Sequence, residues 1–349
     1  MNFGVVGHGF MGSRHVKTIN GMECLKCVAV CDIDPLRLSL LDINIRRYAD
    51  IDSLLADDEI DAVVIATPNK YHRDHAIKAA RAGKHIICEK PVAMSVKDFD
   101  EILRASEDNH VILTSHLQRR FDKDFQTIKC AYERGLVGDP YLVKSMMFGY
   151  NGNMHDWHVH ISEGGGMLFD WGVHLVDQIL YMIDSPLKSI YADVRNIINY
   201  EVDDYYKIIL RFENWVTAEI ELGTYMLSDK PGWFPRHWHM FGNMGSMYVD
   251  NFEPEGKIVR TTGLLTDVTD TEGRYCGPTR SFGFPDEGLI ITEDIPFVST
   301  DATDYYRNFV STMEGDEDIL VKPREMRRVL SVIEAVWESA RTMQSVAFE

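Results

Sequence analysis

The segment Gly164-Gly165-Gly166-Met167-Leu168-Phe169-Asp170-Trp171-Gly172-Val173-His174 places a carboxylate and an imidazole four residues apart, a spacing that puts both on one helix face. A carboxylate beside an imidazole orients the ring and raises its proton affinity, which suits removal of a hydroxyl proton during alcohol oxidation. The same spacing is common in ordinary surface pairs. Lys90 adds a third group, in Glu89-Lys90-Pro91 directly after the apolar run His85-Ile86-Ile87-Cys88. A buried lysine close to a second cation can donate a proton or hold developing negative charge; an isolated lysine after a strand is more often at the surface. Oxidation also needs an acceptor for the hydride.

The acceptor's site is written at the start of the chain. Gly7-His8-Gly9-Phe10-Met11-Gly12 follows the apolar run Phe3-Gly4-Val5-Val6, and Asp32 closes the next one, Cys27-Val28-Ala29-Val30-Cys31. Strand, glycine turn, helix, strand and acid together are the fingerprint of dinucleotide binding. Gly7 allows the tight turn, Gly9 lets backbone approach a pyrophosphate, and Gly12 lets helix pack close to strand. Phosphates then meet the free N–H groups of a helix N-terminus. The Asp32 carboxylate binds a ribose 2′-hydroxyl and repels a 2′-phosphate, so NAD is expected over NADP.

These residues need elements to hold them. Up to about residue 115 short apolar runs alternate with helical patterns: helices at Met11–Ile19, Pro35–Leu41, Ile51–Leu55, Tyr71–Ala82 and Ser95–Ser106, strands at 61–66, 85–88 and 111–114. That grammar predicts a doubly wound parallel α/β sheet, with ligands beyond the carboxyl ends of its strands. From about Leu117 it changes. Helices are expected near Asp122–Arg134 and Met167–Met182, and strands follow one another at 189–197, 205–212, 217–225, 237–241 and 246–250. This predicts a second α+β domain, so the chain divides into 1–118 and 119–349. Asn251–Pro296 reads as extended loop, and two helices close the chain at Thr303–Glu314 and Pro323–Gln344.

Bulk composition excludes some partners. With 36 Lys+Arg against 54 Asp+Glu, a net charge of −18 repels nucleic acid and anionic membranes. No run approaches a membrane span, and the first residues enter a strand where a signal peptide would stand, so a cytoplasmic setting is expected. The six cysteines, 24, 27, 31, 88, 130 and 276, form no paired metal motif and fit a reducing compartment. Histidines crowd His155-Asp156-Trp157-His158-Val159-His160, and His237 and His239 share a strand face. These could line a sugar pocket, ligate zinc or serve the core; no metal is expected. Trp157, Trp233, Phe234 and Trp238 fit either sugar stacking or core packing.

The ordered set GHGFMG, ATPNKYH, EKP, QRRFD and GGGMLFDWGVH resembles the Gfo/Idh/MocA family of oxidoreductases over essentially the whole chain. The resemblance implies a Rossmann domain followed by a domain built on a large open, mostly antiparallel sheet, often used for homo-oligomer contacts (a dimer or tetramer). It implies reversible hydride transfer between a nicotinamide and a carbon of a sugar, glycoside or cyclitol. Lys90, Asp170 and His174 match its catalytic positions. Thr67, Pro68, Asn69, His72 and Glu89 match cofactor contacts on the nicotinamide side, beside Gly7, Gly9, Phe10, Met11, Gly12, Asp32 and Ile33 at the other end. Arg120 matches a position near the substrate, joined here by His155 and Trp157. Two other readings stay open: glycoside cleavage through a 3-keto intermediate with tightly held NAD, and a non-catalytic dinucleotide sensor.

Overall fold

The apolar runs at the start of the chain become strands buried on both faces. In a computed structural model, which describes residues 1–150, 154–227, 234–262 and 287–348, β1 (Asn2–Val6), β2 (Lys26–Cys31), β3 (Arg46–Tyr48), β4 (Ala62–Ile65), β5 (His85–Cys88) and β6 (Leu113–Ser115) form one sheet. All neighbours are parallel, in the order β3-β2-β1-β4-β5-β6. Helices α1 (Phe10–Asn20), α2 (Pro35–Ser39), α3 (Ile51–Leu55), α4 (His72–Arg81) and α5 (Val96–Asp108) connect the strands. Ser95 caps α5, its side chain accepting from the Asp98 amide. The strand order reverses between β1 and β4, so the crevice beyond their carboxyl ends is the expected ligand site.

The second sheet has nine strands: β7 (Pro140–Phe148), β8 (Leu187–Arg195), β9 (Tyr205–Phe212), β10 (Thr217–Gly223), β11 (Arg236–Gly242), β12 (Gly245–Asp250), β13 (Glu255–Thr261), β14 (Ile290–Asp294) and β15 (Val346–Ala347). Their order is β14-β13-β12-β11-β7-β10-β9-β8-β15, antiparallel throughout except where β7 meets β10. One face packs under α6 (Lys123–Glu133), α7 (Val173–Met182) and α9 (Pro323–Thr342). On β9 that face is Tyr206, Ile208, Leu210 and Phe212, all buried, while Tyr205, Lys207, Ile209 and Arg211 point the other way. Each such burial contributes about 1.5–3 kcal/mol.

Two expectations change. Asn251–Pro296 is not loop throughout, because β13 and β14 extend the sheet at its edge. They were hidden because β14 is exposed along its whole length, so no apolar alternation marks it. The chain also returns to its starting domain. Tyr305, Tyr306 and Phe309 of α8 (Asp304–Glu314), with Val321, Met326 and Leu330, pack into the core of the parallel sheet. A cut at 118/119 therefore does not follow the packing after residue 304. Among the described residues no helix is long and apolar enough to cross a membrane.

Candidate active site

The glycine loop is shaped by contacts that no side chain could share. A Cβ on Gly12 would lie 1.8 Å from the Gly7 carbonyl oxygen, so α1 can sit against β1 only with glycine there. A Cβ on Gly9 would meet nothing nearer than Arg37 Nη1 at 3.7 Å, which leaves that side of the loop open to a ligand. Gly9 is also the N-cap of α1 and supplies no capping side chain, and the first turn carries no acid. The free N–H groups and dipole of the helix are thus presented to an anion such as a pyrophosphate. Asp32 Oδ2 accepts the His8 amide at 2.7 Å and Oδ1 the Asp34 amide at 2.8 Å, fixing the carboxylate at the end of β2. Phe10 and Ile33 flank this cradle 76% and 91% exposed, apolar surface with the position and chemistry to cover an adenosine. The residues fit a dinucleotide.

Lys90 leaves the end of β5 and crosses to the second domain. Its Nζ donates to Asp170 Oδ1 at 2.5 Å and to the Asp170 carbonyl at 2.9 Å. Asp170 lies in the π-helical turn Leu168–Gly172, directly before α7 begins at Val173 and carries His174. His174 is buried, and its Nδ1 has no hydrogen-bond partner. Burial first, then Lys90 and Arg119, hold its pKa well below the ordinary 6.5, so the ring is neutral at neutral pH. A neutral imidazole with a vacant nitrogen beside a lysine–carboxylate pair can accept a proton from a hydroxyl held by that lysine.

Known proteins carry the same two parts. Residues 1–117 match the model of an oxidoreductase family with an NAD-binding Rossmann fold, and residues 125–248 match the GFO/IDH/MocA C-terminal domain. An uncharacterized oxidoreductase YrbE of Bacillus subtilis is 31% identical over 270 residues, 75% of this chain and 77% of that protein. The chain belongs to the Gfo/Idh/MocA oxidoreductase family. Among relatives of this family, a myo-inositol 2-dehydrogenase of Thermotoga maritima is 26% identical over 284 residues, 79% of this chain and 81% of that protein. The crystal structure of an NAD-binding protein from Listeria innocua superposes with a TM-score of 0.88 at 34% identity, covering 99% of this chain and 96% of that one.

Within this Gfo/Idh/MocA chain, several residues assigned to ligands from sequence have their side chains engaged by protein. Both His72 ring nitrogens face backbone carbonyls, of Pro91 at 2.7 Å and Thr67 at 2.8 Å, so the ring ties the Lys90 turn to β4's exit. Asn69 donates to the Gly164 carbonyl at 2.8 Å, stitching the two domains across the cleft. Gly164 has φ +80°, and a Cβ there would come 2.9 Å from that of Asn69, so the close approach needs glycine. Glu89 is buried among histidines. Thr67 stands 3.3 Å from His75 Nδ1. Arg120, expected near substrate, is buried with its guanidinium donating to Asp177 and Glu325.

The histidine-rich segment is divided. His155 is exposed beside Asp156, whereas Trp157 stacks on His158 with ring centroids 3.8 Å apart. The charges of Asp170 and Lys90 both reach His158. Trp238 and Phe234 are buried core, with Trp238 Nε1 donating to Asp124 at 2.7 Å; Trp233 lies outside the described residues. His237 meets Asp250 at 2.5 Å. Cys27 and Cys31 are buried, which pushes both thiols up to about 12 and leaves them unreactive. Sequence reasoning missed Asp203, whose Oδ2 accepts the Leu168 amide at 2.7 Å and so holds the start of the π-helical turn that carries Asp170. Burial pushes that carboxyl up to about 7. It also missed Arg119, whose guanidinium lies 4.5 Å over the Trp171 ring and adds positive charge near His174. The only sequence signal was two adjacent arginines, with nothing to say which faced the cleft.

Proposed function

We propose that this oxidoreductase transfers hydride reversibly between NAD and a secondary alcohol carbon of a sugar, glycoside or cyclitol. The nicotinamide supplies the hydride acceptor at the cleft. His174 takes the hydroxyl proton through its partnerless nitrogen and later gives it to solvent. Lys90 donates to the same oxygen, and Asp170 holds Lys90 in place from the second domain. Orientation and fixed charge are the protein's share of the catalysis. The observation that carries the reading is the buried, partnerless Nδ1 of His174 close to the Lys90–Asp170 pair. A hydroxyl there would satisfy a group that otherwise costs about 1–3 kcal/mol to leave unbonded.

The specificity for NAD rests on the immobilised Asp32, and the substrate class on the inositol dehydrogenase relatives of the family. The face of the nine-stranded sheet turned away from α6, α7 and α9, with Lys207 and Glu219 among its half-buried residues, is the surface proposed for homo-oligomer contacts. The five described cysteines are free, which suits a cytoplasmic enzyme. The test is a panel of polyols, cyclitols and glycosides followed by NADH absorbance with wild type, Lys90→Ala and His174→Ala. Turnover of at least one compound by wild type alone is expected. Turnover by both variants at near-normal rates would remove the mechanism, and aglycone release without NADH would favour the 3-keto elimination instead.

A further inference from the structure

Beneath the Lys90 turn lies a buried cluster that the scheme above does not use. Glu89 Oε1 meets His15 Nε2 at 2.9 Å and His116 Nδ1 at 2.8 Å, while Oε2 accepts the amide of Lys90 at 3.2 Å. The two imidazoles lie with centroids 4.4 Å apart and planes tilted by 57°, and His15 Nδ1 in turn meets the Tyr306 hydroxyl. Tyr305 lies edge-on to His116 at 5.0 Å and donates to the Ser115 carbonyl at 2.9 Å. Three parts of the chain meet at this carboxylate, the end of β5, α1 and the segment after β6, and α8 backs the two histidines through Tyr306 and Tyr305. Such convergence fixes a group to a degree that a surface carboxylate never reaches.

The cluster is charged. Burial pushes Glu89 up, yet the charge and hydrogen bonds of His116 and His15 outweigh it and leave the carboxyl well below its usual range. Burial, with His116, lowers His15, so that ring is neutral. Other ionisable groups around Glu89 are Cys88 and Lys90 on its own segment, Arg14 on α1, His72 on α4, His174 on α7, and Tyr305 and Tyr306 on α8. Lys90 is already matched by Asp170. Glu89 is a buried anion hydrogen-bonded to two imidazoles, and the field of a buried charge reaches far in a poorly solvated interior. Glu89 ends β5 beside β4, at the carboxyl ends of the strands where a nicotinamide would lie. The oxidised ring carries a positive charge and the reduced ring does not.

We propose that Glu89 is a positioning residue: locked by His15 and His116, its buried charge favours the oxidised over the reduced cofactor, and its second oxygen fixes the backbone of Lys90. This rests on the reading of the cleft as a nicotinamide site. A metal-binding role for the same three side chains fits less well. Ligand atoms around a tetrahedral ion at about 2.0–2.2 Å stand more than about 3 Å apart, and these donors are at hydrogen-bond distances.

The test is fluorescence titration of NAD+ and of NADH, without substrate, into wild type, Glu89→Gln, Glu89→Asp and His116→Asn. Glu89→Gln should weaken NAD+ about tenfold and NADH less than about threefold, the size expected for unit charges within roughly 12 Å at an effective dielectric of about 20. Glu89→Asp should restore part of the preference for NAD+, and His116→Asn should lose part of it. In turnover, Glu89→Gln should move the acid limb of kcat to lower pH, because the carboxylate's charge raises the proton affinity of His174. A lowered melting temperature with an unchanged NAD+/NADH ratio would overturn the proposal and leave Glu89 a structural brace. Stoichiometric divalent metal in purified wild type, absent from Glu89→Gln, would overturn it as well. Wild type that binds neither form would sink the reading of the cleft and the inference together, whereas binding with an unaltered ratio in Glu89→Gln sinks the inference alone.

Discussion

Arg120 separates a substrate contact from a strut. Its Nε and Nη2 donate to the two Asp177 oxygens at 2.8 and 2.6 Å, and Nη1 donates to Glu325 at 2.9 Å and to the Leu320 carbonyl at 3.2 Å. The guanidinium also lies 4.2 Å over the Tyr181 ring, so the side chain ties α7 to the start of α9. Arg120→Ala leaves Asp177 buried with its charge unmatched, and breaking a buried pair on one side costs about 3–5 kcal/mol. For a unit of this size about 2–4 °C is lost per kcal/mol, so melting should fall by about 6–20 °C. Burial already pushes Asp177 up against the pull of Arg120. Without the arginine that carboxyl rises further, so the folded variant holds a proton that the unfolded chain releases. The deficit should therefore be smaller near pH 5 than near pH 8. Arg120→Met combined with Asp177→Leu, which buries no charge, should recover part of the loss. Calorimetry at the two pH values, with substrate KM measured on the folded variant, decides the matter. Melting unchanged within about 2 °C together with a KM raised tenfold would refute the strut and return Arg120 to the substrate.

Gly12→Ala should abolish NAD binding in a dialysis or fluorescence assay, since its Cβ has no room against the Gly7 carbonyl. Lys90→Ala and His174→Ala should each lower kcat by about 10² or more while NAD still binds, measured by NADH formation and cofactor titration. Asp32→Ala should cut the preference for NAD over NADP at least about tenfold in kcat/KM, because the repulsion of the 2′-phosphate is gone. Burial holds His15, His72 and His174 below 6.5, so each must gain a proton on unfolding in acid. Their contribution is present above about 6.5 and is lost as pH falls, by up to about 4 kcal/mol per pH unit once all three charge in the unfolded chain; urea melts from pH 7 to 5 measure that slope.

The dinucleotide half was legible because its signals are local. The Gly7–Gly12 spacing, Asp32 at the end of β2 and Ser95 before α5 each act within a few residues of where they stand, and each stands where the pattern put it. Lys90 was legible for the same reason, being the residue after a buried strand. What the sequence did not show were distant partners. Arg120 and His72 have the chemistry of ligand contacts, and only the fold reveals that Asp177 and the Pro91 carbonyl engage them. Asp203 lies 35 residues from the amide it accepts, so no window of sequence joins the two. The return of α8 to the first core was invisible because Tyr305, Tyr306 and Phe309 fit any amphipathic helix.

The π-helical turn Leu168–Gly172 carries Asp170, whose carboxylate accepts from Lys90, while burial, Lys90 and Arg119 favour the neutral form of His174. In the proposed mechanism the two groups take complementary tasks, Lys90 as donor to the oxygen and His174 as acceptor of the proton. Gly166 and Gly172 bracket the turn, and Asp203 secures its first amide, so the irregular geometry is held from both sides.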